Sequence, residues 1–380
     1  MPIQKHDVLI VGGGIIGCSI AYFLAKAGVR PLVLERDQVG AEASSGAAGL
    51  LTAQAHSDET GPLLDLKLAS RALYATLAVE LRERMDIDIE YRTLGHLVPA
   101  LTDAELIVVN KRVAWQASLG LPAVRLTAHE ARELEPGLTP EVKGGGWFPE
   151  DHHVNNTAVT QALASATMRL GGQVRTGTAV VEVLWTRERV AGVRTTQETV
   201  AADTVVLCAG AWSRDFEASA GLPLPIVPAK GQIVVARLEM PALRHVVYGE
   251  AGYAIPRASG EHILGSTVEY VGYDKRVTLE GLAGIMAGIT RMVPTLQQAE
   301  MAASWGCLRP AAPDGLPLLG RVSGREGLVV ATGHFRNGIL LAPITGKLIA
   351  ELIVEGKASI PLDPFRPDRP FPSGLPPQAY

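Results

Sequence analysis

The chain has 380 residues, long enough for two domains or one large α/β unit rather than a single small core. Its 47% hydrophobic and 19% charged residues are ordinary for a soluble globular protein, and a net charge of −4 without a dense Lys/Arg stripe excludes a nucleic-acid footprint. Three widely spaced cysteines, Cys18, Cys208 and Cys307, argue against a disulfide framework and for a reducing compartment. No apolar run suits a secretory signal or reaches the ~18 residues of a bilayer span, so a cytoplasmic enzyme is expected.

Residues 8–36 read as strand, glycine turn, helix and second strand. Gly12, Gly14 and Gly17 form G-x-G-x-x-G directly after the apolar run 8–11. Gly12 allows the tight turn, Gly14 leaves room for a pyrophosphate, and Gly17 lets the helix lie close to the strand. The N–H groups at the start of that helix, around Ile15 and Ile16, face the anion. Glu35 ends the second strand; its carboxylate suits ribose hydroxyls and repels a 2′-phosphate, which disfavours NADP. These residues alone leave FAD and NAD open. The next stretch, "GAEASSGAAGLL" (40–51), is small and hydroxylated where an NAD domain would run on into another β-α unit. Its residues Gly46, Ala47, Ala48, Gly49 and Leu50 would let backbone approach a large planar ring, with Ser44 and Ser45 available to phosphate.

An amphipathic helix is expected over 63–85, a strand over 91–101, and helices near 103–119 and 127–134. Asn155 or Asn156 is the expected N-cap of the next helix. The adjacent His152 and His153 diverge and lack a third ligand at suitable spacing, so no metal site is expected. Residues 173–207 read as a β meander whose last strand, 204–207, ends at the small residues Cys208, Ala209 and Gly210. "GQIVVARL" and "GYAIPRASGEHILGST" suggest an antiparallel sheet, followed by a helix near 278–293. "SWGCLRPAAPDGLPLLG" (304–320) reads as a loop before the terminal strand and helix. The tail, 361–380, holds seven prolines and is expected to wander over the surface. Nucleotide-type β-α elements thus fall at the start, near 204–213 and at 327–355. The expected fold class is α/β (α+β), with a discontinuous Rossmann-type cofactor domain (1–88, 146–218 and 306–358) and an inserted antiparallel-sheet substrate domain (89–145 and 219–305), then a Pro-rich tail (359–380).

In "ATGHFRNGILLAP" (331–343), Arg336 stands between an apolar strand and an apolar helix, with no acid near it in sequence. Together with the glycine motif, "SSGAAGLL", "GYAIPR", "GCLRPAAPDGLP" and "GHFRNGILLAPITGKLIAELI", it resembles the D-amino-acid-oxidase-like flavoprotein family, and within it the glycine-oxidising members of the thiamine-synthesis type. The similarity runs from residue 5 to about 355 and is weakest around 100–145. The resemblance implies a glutathione-reductase-type FAD domain, a sheet domain covering the flavin, non-covalent FAD and often a homotetramer. It implies oxidation of glycine, sarcosine or small D-amino acids to an imine by hydride transfer to the flavin. Oxygen then yields peroxide, and water yields a 2-oxo acid and ammonia; in thiamine synthesis the glycine imine feeds thiazole synthase. A dehydrogenase using another electron acceptor remains the alternative.

By the same resemblance, Arg309 clamps the substrate carboxylate as a bidentate fork, Tyr253 donates to that carboxylate, and Arg336 lies beside the substrate. Ala48, Gly49, Ala251 and Val268 line the pocket; the last two stand where the family often has His and Met, so a larger or N-substituted amino acid is possible. Arg36, Val181, Trp212, His334, Asn337, Gly338, Ile339 and Leu340 join the cofactor-binding set, with the helix N-terminus after Arg336 at the flavin's pyrimidine edge. Related sarcosine oxidases attach flavin through a cysteine placed much like Cys307, but the L-R-P pattern here favours a non-covalent cofactor.

Overall fold

The structure, a computed structural model, describes residues 5–240 and 242–374. Strand Lys5–Val11 sits in an eight-stranded sheet, flanked in parallel by Leu32–Leu34 and Thr199–Leu207. Gln173–Arg175 adds a parallel edge beyond Leu32–Leu34, and Arg325–Thr332 pairs in parallel with Thr199–Leu207. Residues 8–11, 32–34, 205–207 and 328–331 of these strands are buried, continuous apolar runs, as a covered parallel sheet requires. Helix Ile15–Lys26 packs against the terminal helix Gly338–Val354, which also packs on Pro62–Met85. The expected meander starts later than 173: residues 173–175 are a parallel edge, while Val180–Thr186, Arg189–Thr195 and Thr199–Leu207 form the antiparallel run.

The second eight-stranded sheet runs in the order 300–311, 227–237, 261–265, 252–256, 246–249, 96–100, 144–148 and 124–127. It is antiparallel except where Val246–Gly249 meets His96–Ala100. Several helices of the chain begin with side-chain caps. Thr102 and Thr127 form reciprocal capping boxes with Glu105 and Glu130, Asn155 accepts from Ala158, and Thr278 accepts from Gly281.

Two expectations, the loop and the wandering tail, are corrected. The stretch expected as a loop begins inside Glu300–Ala311, a twelve-residue strand. Gly306 and Pro310 read as breakers, but this is an edge strand, where a missing N–H is tolerated. Strands Gly144–Phe148 and Glu300–Ala311 both run through positions expected as domain boundaries, 146 and 306, and both belong whole to the second sheet. The start of the tail is docked: Phe365 is buried beside Leu319 and Leu348, and Arg369 donates to Asp314 at 2.7 and 2.9 Å. Residues 375–380 of that tail lie outside the described residues.

Residues 335–354 are long and apolar enough to cross a membrane by length and composition. Of that stretch, 61% is buried inside the protein, as befits a core helix.

Candidate active site

The two sheets meet around a cavity of about 460 Å³. One end is the turn after Lys5–Val11. Gly12 adopts φ +108°, and a Cβ there would strike the Cys208 carbonyl. A Cβ on Gly17 would overlap the Gly12 carbonyl and crowd Ile10, so its absence sets the helix-to-strand distance. Glu35 uses both carboxylate oxygens to hold this turn, accepting from the N–H groups of Gly13 at 2.6 Å and Asp37 at 2.9 Å. Ser44 accepts from the Ile15 N–H at 2.9 Å, placing a hydroxyl at the helix N-terminus. Arg36 lies 3.7 Å from the centre of the Trp212 ring and donates to Glu42 at 3.0 Å.

Midway, the turn Ala43–Gly46 packs so closely on Glu300–Ala311 that a Cβ at Gly46 would meet the Cys307 side chain. Trp305 donates to the Gly46 carbonyl at 3.1 Å, and burial raises the pKa of the Cys307 thiol. Arg257, which sequence reasoning did not single out, holds the next residues by donating to the carbonyls of Ala48 at 2.7 Å and Val154 at 2.8 Å. Its signal was visible as a charge closing an apolar strand in "GYAIPR".

At the far end stand Arg309, Tyr253, Tyr248, Ser266 and Arg336. Arg309 donates to the Thr267 carbonyl at 3.0 Å and to Ser266 Oγ at 2.7 Å, which fixes its guanidinium. It leans over Gly231, where any Cβ would overlap it. Neither Arg309 nor Arg336 has an ion pair among the described residues. Tyr253 is buried, and desolvation raises its pKa to about 12, so the hydroxyl keeps its proton and can donate. Tyr248, also missed, packs 5.4 Å from the Tyr253 ring and 3.8 Å from His56. His334 is tethered through one ring nitrogen: its Nε2 is 3.0 Å from Thr345 Oγ1, and burial lowers its pKa to about 3.

Most expected site residues line this cavity: Gly12, Gly14, Ile15, Ile16, Glu35, Arg36, Ser44, Gly46 to Leu50, Val181, Ala209, Gly210, Trp212, Tyr253, Arg309, His334, Arg336, Gly338 and Ile339. Gly17, Ser45, Asn337 and Leu340 do not. Gly17 is packing, and the helical turn 43–46 swings Ser45 toward Gly40. Leu340 points into the core, and Asn337 lies in the turn Phe335–Asn337. Ala251 and Val268 line a smaller neighbouring cavity instead, and Ala251 packs its Cβ toward Gly288.

The FAD dependent oxidoreductase family matches residues 7–352. The chain belongs to this family. Within it, glycine oxidase of Geobacillus kaustophilus is 38% identical over 95% of this chain and 96% of its own length. A crystal structure of glycine oxidase from that organism superposes with a TM-score of 0.94, covering 97% of this chain and all of the other at 37% identity. The bifunctional protein ThiO/ThiG of a Nostoc species is 37% identical over 96% of this chain but only 55% of its own length. The expected α/β fold and FAD-dependent amine oxidase agree with these relatives. The cavity suits the family's cofactor on its own geometry. It joins a glycine turn and helix N-terminus to a wall rich in small residues, and Gly210 and Gly338 leave space that side chains would fill.

Proposed function

We propose that the protein oxidises glycine and similar small amines, such as sarcosine and D-alanine, to the 2-oxo acid, hydrogen peroxide and the freed amine, which is ammonia from glycine or D-alanine and methylamine from sarcosine. The observation that carries this is Arg309. Its guanidinium is fixed by Ser266 and Thr267, shares the cavity with the buried hydroxyl of Tyr253, and has no carboxylate partner among the described residues. A substrate carboxylate completes that set.

FAD, when bound, accepts a hydride from the amine carbon and passes the electrons to oxygen. Gly12, Gly14, Ser44 and the start of helix Ile15–Lys26 would hold its phosphates, and Glu35 and Arg36 its nucleotide end. The segment Gly46–Leu50 with Gly338 and Ile339 would hold its ring. Arg309 and Tyr253 orient the α-carbon, and Arg336 adds positive charge beside it. No protein base is assigned: a neutral amine needs none, and His334 is held by Thr345. We further propose that FAD is non-covalent and that the chain is a cytoplasmic homotetramer. Two sheet-defined domains are also proposed, with 144–148 and 300–311 in the substrate-binding one. Thiazole synthase is the proposed consumer of the glycine imine, supported by the fused ThiO/ThiG relative.

A peroxide-coupled screen of glycine, sarcosine, N-ethylglycine and D-alanine tests the reading. Peroxide from glycine or a close relative is expected. Dye reduction without peroxide would replace the oxidase with a dehydrogenase, and reduction of neither would overturn both.

A further inference from the structure

Strand Gly252–Pro256 serves two parts of the cavity wall. Side chains two residues apart share a face, so Tyr253, Ile255 and Arg257 point the same way. Tyr253 reaches the substrate end, and Ile255 packs with it and with Ala48 in one buried cluster. Arg257 continues the ladder, donating its N–H to the Glu261 carbonyl at 2.8 Å. Its guanidinium forks across a chain crossing. Val154 donates its N–H to the Gly49 carbonyl at 2.9 Å, and Arg257 donates to the carbonyls of Ala48 at 2.7 Å and Val154 at 2.8 Å. Gly49, at φ +76°, makes the room: a Cβ there would overlap the Val154 carbonyl and crowd Arg257. Arg257 has no ion pair among the described residues, and Glu90, the carboxylate whose charge reaches it, accepts from Asn155 at 2.9 Å. A desolvated cation held by two neutral carbonyls is costly where packing alone is needed.

The Ala48 carbonyl is one end of a peptide unit whose other end is the Gly49 N–H. Gly49 lines the cavity, and its N–H has no acceptor among the described residues. A cation on the carbonyl polarises the unit and strengthens the N–H as a donor. Hydride transfer adds negative charge to the ring held at this wall, and a preorganised donor backed by a cation favours that state. We infer that Arg257 is a positioning residue for the reaction: it aims the Gly49 N–H at the edge of the cofactor ring and raises the reduction potential of bound FAD. This rests on the placement of the ring at segment 46–50 proposed above.

The test is the two-electron reduction potential of the FAD-loaded protein. It is read anaerobically against a reference dye, with xanthine and xanthine oxidase supplying electrons and no amine present. Arg257→Gln keeps a donor for one carbonyl but no charge. It should shift the balance about tenfold against the reduced ring, about 30 mV downward. Arg257→Lys should recover most of that shift. An unchanged potential in Arg257→Gln, or a Lys variant as low as the Gln one, overturns the inference. A merely structural arginine would weaken FAD binding alike in both redox states and leave the potential where it is. Should Arg257→Gln lose its FAD, Arg257→Ala is refilled with ethylguanidinium or with neutral ethylurea. Ethylguanidinium is expected to restore FAD and the natural potential, with the ethylurea-filled protein about tenfold lower. Recovery with neither, or equal potentials with both, overturns the inference. Peroxide from glycine with an unmoved potential sinks this inference alone. A charge-dependent potential without peroxide from glycine sinks the glycine reading alone.

Discussion

Arg309 reaches its position because of the residue diagonally across the ladder. Strand Val227–Arg237 pairs Ala229 with Arg309 and Gly231 with Cys307, so Gly231 and Arg309 share one face. The bare Gly231 lets the guanidinium lie flat and reach Ser266 and Thr267. Gly231→Ala should therefore displace the fork without touching the substrate. Its KM for glycine is expected to rise about tenfold, the scale of overpacking by 1–3 kcal/mol, with FAD content retained; an unchanged KM would show that the fork does not depend on Gly231. Arg309→Lys keeps the charge but not the bidentate geometry. A charge-assisted pair contributes roughly 1.5–3 kcal/mol, so its KM should rise about ten- to a hundredfold in steady-state kinetics. At this scale the sequence exposed motif glycines and charges standing among apolar residues. It hid Tyr248 and Ser266, which reach the site only through sheet pairing and look like any strand aromatic or turn serine.

At the scale of elements, the terminal helix shows how the cavity wall is kept rigid. Pro343 lies inside Gly338–Val354 and has no N–H for the Ile339 carbonyl. Tyr74 donates its hydroxyl to that carbonyl at 2.6 Å. One residue on, Ser70 donates to the Leu340 carbonyl at 2.6 Å and accepts from the Ile344 N–H at 3.3 Å. Helix Pro62–Met85 thus mends the break in its neighbour, directly beneath the cavity-lining Ile339. Tyr74→Phe leaves the carbonyl buried and unpaired, a loss of about 1–3 kcal/mol. Chemical denaturation should show a lower midpoint with an unchanged slope; no shift would mean that water or helix relaxation satisfies the group. Helices were legible because their periodicity and caps are local. Strand Glu300–Ala311 was not, because only its partner Val227–Arg237 makes an edge strand of a segment carrying Gly306 and Pro310.

For the molecule as a whole, burial of neutral histidines is one contribution to loss of stability in acid. Desolvation lowers His96, His153 and His334 from an ordinary 6.5 to about 3. The unfolded chain takes up these protons first, so stability is full above about pH 6.5 and is lost progressively as pH falls toward 3. Each such group contributes at most about 1.4 kcal/mol per pH unit. The denaturation midpoint should fall between pH 7 and pH 4, and less steeply in His96→Gln; parallel curves would remove His96 from this account. The meeting of two sheets around one cavity was legible only as alternating β-α and antiparallel stretches. The exact crossing points, and the anchoring of Phe365 and Arg369, depend on contacts between residues far apart in sequence.

The most direct test is anaerobic mixing of the FAD-loaded protein with glycine, followed by the flavin's visible absorbance, in the natural chain and in Arg309→Lys. Bleaching is expected in both, with the variant needing roughly ten- to a hundredfold more glycine for half the maximal rate. The same glycine dependence in the two proteins, or no bleaching in the natural one, would contradict the carboxylate clamp on which the account rests.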